Sequence, residues 1–138
     1  MASQKAGPRA ASVYALAGIR LFNGAAGLLA PDLLIRRLDP DRRPPSPAAV
    51  YAFRLFGIRT ILLGLDLLTN RDERLRADLR DGVLIHGSDT ATAATLGLSG
   101  RLPPRTAALT TLISAANTVL AATSLANSAK GKGKGKRK

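Results

Sequence analysis

The sequence predicts an all-α fold, an integral membrane four-helix bundle with a disordered basic C-terminal tail. Three observations lead to this prediction. Charged residues are nearly absent from four stretches and crowded between them; the stretches are residues 10–30, 49–69, 82–100 and 106–129. Each is close to the roughly 20 residues that a helix needs to cross a bilayer. The stretches are also rich in Ala, Gly, Ser and Thr, the small residues that let membrane helices pack closely.

Length and composition limit the domain count and the chemistry. A chain of 138 residues is one domain by size, here residues 10–129 after a polar lead at residues 1–9. The chain has no cysteine, which excludes disulfides, thiolate metal sites and thiol catalysis. Arginine outnumbers lysine outside the tail and Ala and Gly are abundant, which is typical of a GC-rich bacterial genome.

The first apolar stretch, residues 10–30, is predicted to be a transmembrane helix that ends at Pro31. A basic start followed by an apolar run also describes a secretory signal peptide. The helix is preferred because Arg20 and Asn23 lie inside the run, which is long for a signal core. Residues 33–38 then predict a short interfacial helix that is apolar on one side and basic on the other.

The second stretch, residues 49–69, has the length of a spanning helix but contains Arg54, Arg59 and Asp66. An isolated charge at the bilayer centre costs about 2.5–3.5 kcal/mol on insertion scales. We therefore expect these charges to be paired or hydrated.

The third stretch, residues 82–100, is the weakest span. It follows a segment of alternating charge at residues 70–81, which predicts a solvated helical extension. Its apolar start is followed by His86, Ser88, Asp89 and three threonines. We expect such a helix in a membrane only if its polar stripe faces other helices.

The fourth stretch, residues 106–129, is rich in Ala, Thr and Leu, with hydroxyls that can bond to their own backbone. The tail at residues 130–138 alternates Lys and Gly and is predicted to be disordered. Its basic residues should be drawn to anionic lipid, at about 1 kcal/mol each near the surface. They are Lys130, Lys132, Lys134, Lys136, Arg137 and Lys138. Electrostatic binding of nucleic acid is the less favoured alternative, because no aromatic residues interleave with the lysines.

The positive charges predict the orientation. With four helices both termini share one side of the membrane. That side collects twelve Lys and Arg residues, against six on the opposite side. Because basic residues favour the cytoplasmic side, we expect a multi-pass protein of the cell membrane with both termini in the cytoplasm.

A short motif in the second stretch resembles that of a known kind of protein. Arg54-Leu-Phe-Gly57-Ile-Arg59, followed by Leu63-Gly64, is similar to the Arg-x-x-Gly-x-Arg signature of small four-helix membrane proteins from actinobacteria. These families are of unknown function and loosely DoxX-like in layout. Asp89 matches their acidic residue in the third helix. The resemblance covers residues 12–127, implies the four-helix architecture, and implies no activity.

Six charged or titratable side chains inside the predicted helices form the candidate site, an intramembrane charge network. They are Arg20, Arg54, Arg59, Asp66, His86 and Asp89. Asp89 is the natural partner for Arg59 or Arg20, and His86 shares roughly the face of Asp89. The first interpretation is a network of salt bridges that fixes which helices pair. The alternative is a polar site that binds a small molecule, an ion or a lipid headgroup, or relays protons through His86 and Asp89.

The residue pattern favours no enzymatic activity and no cofactor. His86 and Asp89 are too few ligands for a metal site, and no nucleophile–base–orienter set, phosphate loop or dinucleotide fingerprint is present. The leading hypothesis is a structural or accessory membrane protein. The alternatives are a transporter-like subunit that binds a small molecule, ion or lipid, and a basic helical protein that binds nucleic acid through its tail. Besides the lipid bilayer, a second copy of the chain or a larger membrane complex is the partner that the Gly and Ala content suits.

Overall fold

The computed structural model describes residues 11–39, 41 and 43–135, and their side chains up to Ser128. All regular secondary structure in these residues is helical, which confirms the all-α class. The helices are α1 (Ala11–Leu29), α2 (Pro31–Leu38), α3 (Pro47–Thr69), α4 (Asp72–Leu98) and α5 (Pro104–Gly135).

Local sequence accounts for two of the helix ends. α3 starts where the Ser46 hydroxyl accepts a hydrogen bond from the backbone N–H of Ala49, at 3.2 Å, with proline in the first turn. α4 ends in a Schellman motif at Gly100, whose φ of 70° suits glycine. The backbone N–H groups of Gly100 and Arg101 donate to the carbonyls of Gly97 and Leu96, at 3.1 and 2.9 Å. The turn between α4 and α5 is thereby fixed.

Helices α1 and α3 pack antiparallel with their backbones in contact. A Cβ atom built on Gly57 would lie 2.7 Å from the carbonyl oxygen of Gly24. Gly24 faces Ile61, and Gly27 faces Phe53, so later residues of α1 meet earlier residues of α3. Small residues at these positions permit the close approach that packs helices in membranes.

Helices α4 and α5 form a second antiparallel pair. At one end, a Cβ atom on Gly97 would lie 2.5 Å from the Cβ of Ala107. At the other end, Arg76 donates a hydrogen bond to the carbonyl oxygen of Ser128, at 2.5 Å. The C-terminal part of α5 therefore lies beside the charged start of α4.

The two pairs join through polar contacts. Ser124 of α5 is hydrogen-bonded to Ser12 of α1 at 2.9 Å. Asn70, which caps α3, donates to Asp78 of α4 at 2.9 Å. The start of α1, the end of α3, the start of α4 and the C-terminal part of α5 thus share one end of the molecule, here called the Ser12 end. Helix α2 lies at the opposite end, the α2 end, where Thr106 donates a hydrogen bond to the carbonyl of Leu38.

The apolar core is small and lies toward the Ser12 end. It is built from the first half of α1 and from the parts of α3, α4 and α5 beside it. Its buried members are Val13, Leu16, Ala17, Leu67, Leu79 and Ala121. The half of the molecule nearer α2 has an open cavity instead, described below.

Helices α1 and α3 match the predicted stretches 10–30 and 49–69 closely, and α2 confirms the short helix predicted after Pro31. The third stretch differs, because α4 begins at Asp72 and takes in the charged segment before it. Its polar stripe does not face only inward, as Ser88 and Thr95 are exposed. Their hydroxyls instead donate to carbonyls of their own helix, at 2.7 Å in both cases.

Helix α5 continues to Gly135, so the predicted disorder of the tail is not confirmed for residues 130–135. Residues 136–138 and the predicted polar lead at residues 1–9 lie outside the described residues. Three of the described helices are long and apolar enough to cross a membrane: Ala11–Leu29, Pro47–Thr69 and Pro104–Ser128. α4 is not among them, because its first turns are charged and its mean hydropathy is low.

Candidate functional site

Arg20 is the largest fully buried side chain among the described residues, with 0% of its surface exposed. It projects from α1 into the space between the helices. Its Nη1 donates a hydrogen bond to the carbonyl oxygen of Leu63 in α3, at 3.3 Å. Two glycines make room for it: a Cβ on Gly64 would lie 3.2 Å from Arg20 Cβ, and a Cβ on Gly82 of α4 would overlap the guanidinium. Arg20 therefore depends on glycine in both neighbouring helices.

Several buried polar atoms around the bundle lack hydrogen-bond partners within the described part of the chain. They are Arg20 Nε and Nη2, His86 Nε2 and Asn117 Oδ1. Asp78 is close enough to act electrostatically on Arg20, without a direct hydrogen bond. An unsatisfied buried polar group costs about 1–3 kcal/mol. The interior therefore contains polar groups that are enclosed but not fully paired.

Arg59, Asp89 and His86 form a second polar group, between α3 and α4. Arg59 Nη2 lies 3.5 Å from Asp89 Oδ2, and His86 Nδ1 lies 3.8 Å from the same oxygen. The side chain of Arg59 is 50% exposed and that of Asp89 33%, whereas His86 is buried. The Arg59 guanidinium also lies 6.0 Å from the ring centroid of Phe56, within cation–π range. The sequence suggests Arg59 or Arg20 as the partner of Asp89, and in the structure Arg59 is the one beside it.

The other two predicted network residues lie apart from these groups. Arg54 is exposed and lines a shallow groove with Asp32 and Tyr51. Asp66 is half-buried, and its carboxylate makes no hydrogen bond or ion pair with any described residue. The six predicted residues are thus one buried arginine, one partly exposed trio, and two separate side chains.

The predicted lipid-binding residues of the tail follow Ser128, the last residue whose side chain is described. Lys130, Lys132 and Lys134 lie on the helical backbone of α5, beyond the last described side chain, and Lys136, Arg137 and Lys138 lie outside the described residues.

A cavity of about 1190 Å³ opens at the α2 end of the molecule, with walls from all five helices. Its walls are mostly apolar and include Phe22, Phe53, Phe56, Leu96 and Ile113. Charged residues also line it: Arg36, Arg37 and Asp39 in and after α2, Asp89 in α4, and Arg105 in α5. Sequence reasoning missed this cavity, although the amphipathic pattern of α2 is a signal for part of it.

The described residues contain no group of three His, Cys, Asp or Glu side chains that could hold a metal ion. The polar groups of the site therefore consist of arginines, carboxylates, hydroxyls and one histidine.

Comparison of the chain with models of protein families, with curated proteins and with solved structures finds no match. The resemblance to small four-helix actinobacterial membrane proteins stays a prediction.

Proposed function

We propose that the chain is a small multi-pass membrane protein with a structural or accessory role, in which four helices cross the bilayer. The observation that carries this proposal is the distribution of side chains. Arg20 is fully buried, whereas Phe22, Leu29 and Leu98 are 75%, 80% and 91% exposed. Soluble proteins almost never bury an arginine fully without pairing it, and large exposed apolar surfaces mark contact with a partner or a membrane. Lipid around the helices accounts for the exposed apolar side chains, and charged side chains of membrane helices face the bundle interior, as Arg20 does.

The crossing of α4 is supported by its hydrogen bonds. In a bilayer core, polar groups have to be satisfied inside the protein. Ser88, Thr90 and Thr95 each donate their hydroxyl to a backbone carbonyl of the preceding turn, at 2.6–2.7 Å. Their polarity is therefore largely masked, and Leu84 beside them is 66% exposed.

The number of crossings is supported by the Ser12–Ser124 hydrogen bond. This bond joins the start of α1 to the C-terminal part of α5 at one end of the molecule. An even number of crossings is needed to return the chain to that end, so α4 is expected to cross with the three apolar helices. The excess of basic residues on that side favours the cytoplasm for both termini.

The topology can be tested by labelling single cysteines, because the chain has none of its own. Arg71→Cys probes the connection before α4, and Ser99→Cys the connection after it; both positions are exposed. In intact cells, a membrane-impermeant maleimide should label Ser99→Cys, and should label Arg71→Cys only after permeabilisation. Leu112→Cys, on the outer face of α5, is the control and should react poorly in both states.

Alkaline carbonate extraction supplies the second readout. Retention in the membrane pellet is expected for the full chain. Release into the supernatant would refute membrane insertion altogether. Labelling of Arg71→Cys and Ser99→Cys from the same side would refute the crossing of α4.

The structural role of the buried arginine is tested by a matched pair of substitutions. Arg20→Ala should lower the amount of protein in the membrane, because it removes the contacts with α3 and α4 and leaves a space between them. Leu→Ala-type truncations in cores cost about 2–5 kcal/mol. Arg54→Ala removes the same side chain from an exposed position and should leave the amount unchanged. Equal amounts of the two variants would contradict this role.

A further inference from the structure

The cavity at the α2 end is large and apolar enough for a lipid. Its volume of about 1190 Å³ exceeds the range of roughly 300–1,000 Å³ that is usual for small-molecule sites. Phe53 and Leu96 line it from α3 and α4, and the strongly exposed Phe22 lines it from α1. An opening with such walls suits hydrocarbon chains that enter from the side of the bundle.

The positive charges of the cavity have no partners among the described residues. It is lined by Arg36, Arg37 and Arg105, and none of these side chains makes a hydrogen bond or ion pair with a described residue. Two belong to the last turn of α2 and one to the first turn of α5. Three arginines from two helices therefore line the same cavity.

The negative charges of the cavity are already engaged. The Asp39 carboxylate accepts the backbone N–H groups of Asp41 and Arg43, at 3.0 and 3.3 Å. The Asp89 carboxylate lies 3.5 Å from Arg59. Arg36, Arg37 and Arg105 outnumber the Asp39 carboxylate, so the net charge at the opening is positive and lies beside apolar walls.

We propose that this cavity binds an anionic phospholipid of the surrounding bilayer, with its acyl chains on the apolar walls and its phosphate against Arg36, Arg37 and Arg105. Guanidinium groups bind phosphate with paired, charge-assisted hydrogen bonds. The short amphipathic helix α2 is the element that holds two of them at the membrane surface. This proposal rests on the proposed membrane insertion, and it places the lipid at the membrane face opposite the basic tail.

The test uses the full chain purified in detergent micelles and titrated with dioleoyl-phosphatidylglycerol, with dioleoyl-phosphatidylcholine as the neutral-headgroup probe. Native mass spectrometry counts the bound lipid. The native chain should bind phosphatidylglycerol about tenfold more tightly than phosphatidylcholine, because only the former is anionic and meets the free arginines. Inorganic phosphate alone should not compete at equal concentration, since it lacks the acyl chains.

Two matched pairs of variants locate the site. The double variant Arg37→Gln/Arg105→Gln should bind phosphatidylglycerol about tenfold or more weakly, because it lacks two charged hydrogen-bond donors. Arg54→Gln with Arg101→Gln removes the same charge from exposed positions outside the cavity and should change binding little.

The second pair probes the apolar walls. Ala52→Trp fills part of the cavity and should weaken binding of both lipids, whereas Ala48→Trp, one turn earlier on α3 and outside the cavity, should not.

Equal losses of phosphatidylglycerol affinity in the two arginine double variants would overturn the proposal in favour of unspecific charge attraction. Equal binding of the two lipids would overturn the role of the arginines. Displacement of lipid by inorganic phosphate would replace the lipid with a soluble phosphate ligand. If carbonate extraction and cysteine labelling support insertion while all these binding results fail, the lipid site is refuted and the proposed membrane role stands.

Discussion

The contact between α1 and α3 yields a sharp prediction, because two glycines of the same local sequence have opposite surroundings. Gly18 and Gly57 are each followed by Ile and Arg. A Cβ atom on Gly57 would lie 2.5 Å from the backbone N of Leu28 and 2.7 Å from the carbonyl oxygen of Gly24. A Cβ atom on Gly18 would meet nothing within 4 Å. Alanine should therefore be accepted at position 18 and rejected at position 57.

The atoms around Gly57 determine how much Gly57→Ala should destabilise the fold. The obstacles at Gly57 are backbone atoms, which cannot rotate away, so α1 and α3 have to separate. Forcing an extra carbon into a packed site costs about 1–3 kcal/mol. Both substitutions occur in a helix interior, so the gain of up to about 1 kcal/mol in helix propensity is common to both and cancels in the comparison. The unfolding constant of Gly57→Ala should thus exceed that of Gly18→Ala by about 5- to 150-fold.

The measurement is reversible unfolding in mixed detergent micelles, followed by the helical circular dichroism signal, for both variants and the native chain. We expect Gly18→Ala to be at least as stable as the native chain, and Gly57→Ala to be clearly less stable. Indistinguishable unfolding curves for the two variants would mean that α1 and α3 do not approach as closely as the structure has them. A less stable Gly18→Ala would mean that its open face is covered by another chain.

Two further predictions concern the polar groups. Gly82→Ala should lower the melting temperature, since its Cβ would overlap the Arg20 guanidinium, whereas Gly87→Ala, with nothing within 4 Å of its Cβ, should not; equal melting temperatures would show that Arg20 moves aside freely. Asp89→Asn or Arg59→Gln alone should lower the yield in the membrane, because each leaves an unpaired charge that costs about 2.5–3.5 kcal/mol in lipid. The double variant should recover part of that yield, and a double variant worse than both single ones would contradict their pairing.

The helical segments are predictable from the sequence because they depend on local features. Apolar length sets α1 and α3, and Pro31 marks the boundary between α1 and α2. The sequence leaves both Arg59 and Arg20 as partners for Asp89, and only the structure shows that Arg59 lies beside it. The alternating charges before position 82 predict a helical extension, and α4 includes them in one continuous helix.

The arrangement inside the bundle was not predictable in the same way. Whether an arginine is buried depends on which helix lies opposite, and the local sequence around the arginine does not determine this. The room for Arg20 comes from Gly82, which is far away in sequence and has no local feature that distinguishes it from Gly87. The cavity likewise needs walls from five helices, so no single segment predicts it.

The arginines of this chain differ in whether their surroundings leave them available for a ligand. Arg59 has a carboxylate and an aromatic ring beside it, so its charge is already used in joining α3 to α4. Arg20 retains two nitrogens without partners, but it is fully buried, and a ligand cannot reach it without parting the helices. Arg36, Arg37 and Arg105 line the cavity and have no hydrogen-bond or ion-pair partner among the described residues. Arg20 and Arg59 therefore contribute to helix packing, and we expect the charges that recognise a ligand to lie in the connection at α2, which the proposed topology places at the edge of the bilayer.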